Sequence, residues 1–189
     1  MALLIVGLII WVGAHMFKRL APGARAALTT RMGDASKGIF AGLILASLVL
    51  IVIGYRGIEI TPIYTPLAGI GHLNNLLMLV AIVIYSAGMS KGVLWTKIRH
   101  PQLWGTSIWA LAHLLVNGDL ASVVLFGTML VWAQAEIVLY NAQEPAWLPP
   151  KPGALKRDLI MAGGALVAYA VIAGIHVLLG VNPFAGTYG

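Results

Sequence analysis

Six long apolar runs, separated by short polar segments, dominate the pattern of the chain. They cover residues 2–19, 38–55, 67–89, 102–118, 119–141 and 158–181. Each approaches the roughly 20 residues that an α-helix needs to cross the hydrocarbon core of a bilayer. The segments between them carry turn signals, among them APG at 21–23, NGD at 117–119 and EPAWLPPKPG at 144–153. The pattern predicts an all-α fold, a polytopic membrane bundle of about six transmembrane helices.

The composition supports a membrane protein. The 189 residues are 60% hydrophobic and 10% charged, whereas soluble domains are about a quarter charged. No polar stretch approaches domain length, so we expect a single integral membrane domain over residues 1–189, with the lipid bilayer as its surroundings. The first apolar run has its basic residues after it rather than before it, which predicts a retained first span instead of a cleaved signal peptide.

The basic residues predict the orientation. Only Arg56 lies in a loop on one side, and the other eleven of the twelve lie on the opposite side, at Lys18, Arg19, Arg25, Arg31, Lys37, Lys91, Lys97, Arg99, Lys151, Lys156 and Arg157. The positive-inside rule makes this side cytoplasmic and places both termini in the periplasm of a bacterial inner membrane. The net charge of +6 therefore reflects topology, and we predict no nucleic-acid partner.

The histidines are the candidate ligands, because the chain has no cysteine. This excludes disulfides, thiolate metal ligands, a cysteine nucleophile and c-type haem attachment. His15 and His100 lie near cytoplasmic span ends. From the helical rise, His72, His113 and His176 lie at one depth, one to two turns from the outer ends of their spans. Ionisable groups inside a bilayer usually face the bundle interior.

Span 4 has a polar stripe. Its members recur at spacings of 4, 3, 4 and 4, which places them on one helical face: Gln102, Thr106, Trp109, His113 and Asn117. A polar face predicts a lined interior. Two interpretations of the buried imidazoles stay open, ligation of a cofactor and hydrogen bonding between helices.

The surrounding residue types favour haem over a divalent metal. Imidazole side chains between apolar helices are the usual axial ligands of b-type haem. Zinc sites normally recruit further ligands such as carboxylates, and the outer half offers only Glu59 and Asp119, in loops at its edge. No nucleophile motif, phosphate loop or dinucleotide fingerprint is present.

Four segments carry a resemblance to a known family. They are RHPQLWGTSIWALAHLLVNGDLASVVLFG at 99–127, GAHMFKRLAPGAR at 13–25, RMGDASKGIFAGLILASLVLIVIGY at 31–55 and HVLLGVNPF at 176–184. The chain resembles the NnrU family of bacterial membrane proteins over nearly its whole length. That family is associated with nitric oxide and nitrite metabolism in denitrifying bacteria. It is similar to plant zeta-carotene isomerase, a membrane haem b enzyme.

The resemblance implies haem b with His15 and His113 as axial ligands to the iron. Ala110 stands where the isomerase has a cysteine, so a mechanism that uses a thiol is excluded. The depths of the spans favour a different partner for His113, because His15 lies about 10 Å away along the membrane normal and His72 lies level with it. We predict the pair His15 and His113, with His72 as the rival ligand and His176 in a supporting or structural role.

Trp109, Asn117 and Thr106 are predicted to line the cofactor pocket. The function predicted first is a haem b-binding inner-membrane protein of nitrogen-oxide metabolism, acting by redox sensing, isomerase-like chemistry or chemistry on a small apolar or gaseous substrate. The alternative is a non-enzymatic accessory or assembly subunit of a respiratory or denitrification complex, with structural histidines. A distant similarity to membrane methyltransferases rests on Arg99, His100, Pro101 and Gly105, but the paired downstream glutamates of those enzymes are absent.

Overall fold

The computed structural model describes residues 1–184, which form seven α-helices and one 3₁₀ turn. Within this range the β-structure is limited to an isolated bridge between Pro62 and Asp119. The helices are α1 (Ala2–Leu20), α2 (Pro22–Met32), α3 (Ala35–Arg56), α4 (Ile70–Ser90), α5 (Pro101–Val116), α6 (Leu120–Gln143) and α7 (Leu155–Leu178), with the 3₁₀ turn at Leu94–Thr96. They fall into two compact units, unit 1 over Met1–Thr61 and unit 2 from Pro62 onwards.

Unit 1 is built on a close contact between α1 and α3. A Cβ on Gly7 would lie 2.8 Å from Ile51 Cγ1, and a Cβ on Gly54 would overlap the backbone of Leu4. Leu4 is fully buried, at 0% exposure. Small residues let two helix backbones approach closely, which is how helices associate in the absence of a hydrophobic driving force.

The polar segment after α1 forms helix α2, where the sequence pattern predicts only a loop. Pro22 occupies its first turn and Gly33, with φ of 55°, ends it. No α2 residue is buried. Arg25 connects the helix to α3, because its guanidinium donates to Ser36 Oγ at 3.1 Å and lies 4.6 Å from the centre of the Phe40 ring. Apolar periodicity could not reveal a helix that buries no apolar face.

Unit 2 is a bundle in which α5 packs against α4 and α6, and α7 packs against α4. Gly105 allows the α4–α5 contact, since a Cβ there would lie 2.7 Å from Tyr85 Cβ. Gln134 of α6 donates from Nε2 to Ser107 Oγ of α5 at 2.7 Å. This bond connects α5 and α6 through two polar side chains, neither of which belongs to the polar stripe of α5.

At one end of unit 2, the α4–α5 and α6–α7 connections meet. The amide of Gly153 donates to the carbonyl oxygen of Gly92 at 3.1 Å, and the guanidinium of Arg99 donates to the carbonyl oxygen of Glu144. These connections and the first turn of α7 contain the six basic residues of unit 2, Lys91, Lys97, Arg99, Lys151, Lys156 and Arg157. They therefore share one end, as the predicted topology requires.

The opposite end of unit 2 joins the segment before α4 to the α5–α6 turn. The amides of Ile63 and Tyr64 donate to the carbonyl oxygen of Gly118 at 2.7 and 3.0 Å. Asp119 caps α6 by accepting from the amide of Ser122 at 2.9 Å. The turn predicted at 117–119 is confirmed.

Five helices, α1, α3, α4, α6 and α7, are long and apolar enough to cross a membrane. The helical, multi-pass membrane architecture predicted from the sequence is therefore confirmed, and the helix ends agree with the predicted spans to about three residues. Helix α5 has 16 residues, or about 24 Å, against a hydrocarbon core of about 30 Å. Pro101 and the turn after Val116 limit its length.

Candidate functional site

His113 lies in the last turn of α5, half-buried, with its imidazole oriented by its own helix. Its Nδ1 bonds to the carbonyl oxygen of Trp109 at 2.9 Å. A carbonyl oxygen can only accept, so Nδ1 carries the proton and the lone pair is on Nε2. Within residues 1–184 no hydrogen bond reaches this Nε2. His113 therefore has one nitrogen ready to act as a ligand and the other held by the backbone, as in histidines that bind metals.

Aromatic rings surround this imidazole. The Phe126 ring of α6 stacks on it, with 4.5 Å between centroids and an interplanar angle of 25°. Trp109 lies 5.3 Å from the imidazole and meets Phe126 edge-on at 5.1 Å. Phe126 is buried, at 5% exposure. The sequence analysis did not identify Phe126, which lies on α6 six residues after Leu120.

Unit 1 contains the same local arrangement around His15. The pattern Trp-x-x-Ala-His occurs at residues 11–15 and again at 109–113. His15 Nδ1 bonds to the carbonyl oxygen of Trp11 at 2.8 Å, and the two rings lie 4.3 Å apart. The two histidines proposed as a ligand pair thus have the same tautomer and the same aromatic neighbour. His15 belongs to unit 1 and His113 to unit 2, and their pairing stays a prediction.

His176 and His72 differ in how well they are oriented. His176 Nδ1 bonds to the carbonyl oxygen of Ile172 at 2.8 Å. His72 is exposed, and within the described chain it makes no hydrogen bond through its side chain. Asn75 Nδ2 donates to the carbonyl oxygen of Pro183 at 2.8 Å, which joins the start of α4 to the segment after α7. A backbone bond therefore orients the His176 imidazole, and no such bond orients that of His72 within residues 1–184.

The remaining predicted pocket residues bond to the backbone of α5. Thr106 Oγ1 donates to the carbonyl oxygen of Gln102 at 2.9 Å, and Asn117 Nδ2 donates to that of His113 at 2.9 Å. Ala110, in the place of the isomerase cysteine, is fully buried at 0% exposure. Thr106 and Asn117 thus have their donor groups occupied, and their role as pocket-lining residues stays a prediction.

Tyr64 closes the end of α5 nearest His113. Its hydroxyl donates to the carbonyl oxygens of Leu114 and Asn117, the latter at 3.0 Å. A Cβ on Gly118 would overlap the Tyr64 carbonyl oxygen, so only glycine fits beneath this segment. Partial burial, and secondarily the nearby Asp119, raise the pKa of Tyr64. The sequence shows only a proline-rich loop here.

The donor set around His113 suits a haem better than a hydrated metal ion. Within residues 1–184 no group of three or more histidine, cysteine, aspartate or glutamate side chains could hold a metal ion. Haem iron needs only axial ligands from the protein, and its macrocycle packs against apolar and aromatic side chains. An imidazole with a free Nε2 beside Trp109 and Phe126 fits that requirement.

A protein-family model described as "NnrU protein" matches residues 3–183 of the chain. The matched range includes both Trp-x-x-Ala-His segments and all five histidines. No curated protein and no solved structure matches the chain.

Proposed function

Because the chain belongs to the NnrU family, we propose that it is a haem b-binding protein of the bacterial inner membrane that acts in nitrogen-oxide metabolism. The family resemblance suggests nitric oxide and nitrite as the relevant chemistry. The apolar helices of the chain suit a small apolar or gaseous substrate that reaches the site through the bilayer.

The orientation of His113 carries the proposal. Its Nδ1–H bond to the Trp109 carbonyl oxygen leaves the Nε2 lone pair available to bind a metal ion. A hydrogen bond from the second ring nitrogen to a carbonyl is the usual support for a metal-binding histidine, because it fixes the tautomer and raises the basicity of the ligand. A haem bound there would supply an iron that cycles between redox states and binds diatomic gases.

His15 is the proposed second ligand, since in the repeated Trp-x-x-Ala-His arrangement its Nδ1 also bonds to the carbonyl oxygen of the tryptophan four residues earlier. His72 remains the rival by depth. His176 is a further rival, because its Nδ1 also bonds to a backbone carbonyl oxygen of its own helix. Trp109 and Phe126 would flank the macrocycle.

The alternative function is an accessory subunit whose histidines connect helices. His100 supports this role, since its Nε2 donates to Asn141 Oδ1 of α6 at 3.0 Å. His113 and His176 bond to their own helices. A strut between helices needs a partner on another helix, so this alternative does not explain the orientation of those two residues.

The absorption spectrum of the detergent-purified full chain tests the proposal. Expression with added haem precursor should yield a Soret band that His113→Gly abolishes and added imidazole restores. His15→Gly, His72→Gly and His176→Gly, each with and without imidazole, identify the second ligand. His100→Ala is the matched control, because its imidazole is committed to Asn141.

A folded, monodisperse wild-type protein without a Soret band after haem loading would refute haem binding and favour the accessory role. A band that survives His113→Gly unchanged would refute the ligand assignment. The spectral response to nitric oxide then tests the link to nitrogen oxides separately, since a protein that binds haem but no nitric oxide would contradict only that part.

A further inference from the structure

An open groove runs between α4 and α7 in unit 2, beside the end where the basic connections meet. It has a volume of about 370 Å³. Its walls combine apolar side chains with two serines and one cation: Ser86, Met89, Ser90, Arg157, Ile160, Met161, Gly164 and Ala165. The volume is near the lower limit for ligand pockets, so it suits part of a long molecule rather than a whole one.

Arg157 supplies an uncompensated positive charge at the end of the groove. Its side chain is exposed, and within residues 1–184 no hydrogen bond or ion pair engages its guanidinium. The adjacent carboxylate of Asp158 forms no ion pair with it, and its oxygens accept hydrogen bonds from the amides of Val93 and Leu94 and from the hydroxyl of Ser90. The charge is available to a ligand.

The walls beyond Arg157 are apolar and open to the surroundings. Met89 is 64% exposed and Ile160 65% exposed, and nothing lies within 4 Å of a Cβ placed on Gly164. Both helices are long and apolar enough to cross a membrane. This surface would therefore face hydrocarbon chains, while Arg157 in the first turns of α7 would lie near the headgroups.

We propose that this groove binds an anionic phospholipid, with the phosphate at the Arg157 guanidinium and an acyl chain along Met89, Ile160 and Gly164. The charge complementarity and the apolar walls together require one molecule that is anionic at one end and hydrocarbon at the other. Ser86 lies one helical turn from Ser90, about 6 Å deeper. Its hydroxyl makes no hydrogen bond within the described chain, and can donate to a glycerol ester. The proposal is independent of haem binding.

Native mass spectrometry of the full chain tests the proposal. The protein is released from detergent micelles that contain phosphatidylcholine and phosphatidylglycerol. The wild type should retain phosphatidylglycerol in preference to phosphatidylcholine. Arg157→Gln should weaken that retention about fivefold, the effect of one basic residue near an anionic headgroup. Lys156→Gln is the charge control, since Lys156 does not line the groove.

Two neighbouring glycines provide a matched steric test. Gly163 and Gly164 both have open space at the Cβ position, but only Gly164 lines the groove. Gly164→Leu should reduce retention of phosphatidylglycerol and Gly163→Leu should leave it unchanged. Ile160→Ser, at an exposed position, provides a second variant of the apolar wall with little risk to folding.

Equal losses for Arg157→Gln and Lys156→Gln would overturn the proposal in favour of diffuse surface charge. Unchanged retention in both folded groove variants, Gly164→Leu and Ile160→Ser, would overturn the acyl-chain contact. Complete displacement of phosphatidylglycerol by inorganic phosphate would show a site for free anions, and would also overturn it.

Discussion

The stability of unit 2 is predicted to depend on the buried carboxylate of Asp158. Asp158 is 8% exposed and lies in the first turn of α7. Its Oδ2 accepts from the amide of Val93 at 2.6 Å and from that of Leu94 at 3.1 Å, and its Oδ1 accepts from Ser90 Oγ at 3.1 Å. These three bonds connect the start of α7 to the connection that follows α4.

Removing this carboxylate leaves three donors without their acceptor. A hydrogen bond to a charged group contributes about 1.5–3 kcal/mol, but the three share one side chain and water can reach this end of the bundle. We therefore expect Asp158→Ala to lower the free energy of unfolding by about 2–4 kcal/mol, and Asp158→Asn by about 1–2 kcal/mol. Asparagine keeps one acceptor oxygen and loses the charge.

Unfolding in detergent micelles with increasing sodium dodecyl sulfate, followed by tryptophan fluorescence, measures this difference. Asp34→Ala is the control, since its ion pair with Lys37 is 2.6 Å long but has side chains 92% and 73% exposed. Such surface pairs contribute less than about 1 kcal/mol. Gly92→Ala should also destabilise, because its Cβ would overlap the Asp158 carboxylate. If Asp158→Ala costs no more than Asp34→Ala, the reasoning is refuted.

Three further predictions concern packing, the loop before α4 and topology. Gly54→Ala should cost about 2 kcal/mol or more through backbone overlap, whereas Gly13→Ala, with nothing within 4 Å, should stabilise α1 by up to about 1 kcal/mol in the same assay. Tyr64→Phe should cost about 1 kcal/mol near neutral pH. It should also remove an alkaline loss of stability, because the raised pKa keeps the folded state protonated while the unfolded state releases its proton above about pH 10. In this cysteine-free chain, Glu59→Cys and Lys151→Cys should react with an impermeant maleimide from opposite membrane faces, and labelling from the same face would contradict the topology.

The spanning helices could be predicted because their signal is local and strong. A run of about 20 apolar residues has few stable alternatives in a bilayer, where the backbone must satisfy its own hydrogen bonds. Pro101 and the Asn117–Asp119 turn likewise indicated both ends of α5. Helix α2 could not be predicted in this way, because it buries no residue and is held by Arg25 through contacts with α3.

The candidate site could be predicted only in part. The stripe that contains His113 follows from helical spacing, and so does a bond from its Nδ1 to the carbonyl four residues earlier. Phe126 and Tyr64 reach the same region from another helix and from a loop. Their contacts depend on the packing of unit 2, which one apolar run does not specify. The sequence analysis did not identify Asp158, since nothing in the neighbouring sequence shows which backbone amides donate to its carboxylate.

The difference between local geometry and tertiary packing also affects the identity of the proposed second haem ligand. The bond that orients His113 joins residues four apart on one helix, and His15 and His176 form the same bond. The helix backbone therefore orients three imidazoles by the same bond, and this bond alone does not indicate which two would bind the same iron. If the chain binds haem, packing must select the second ligand, because both imidazoles would have to reach the same iron. The imidazole-rescue series thus tests a tertiary property: a second glycine variant that loses the Soret band and regains it with imidazole would identify the histidine that shares the haem iron with His113.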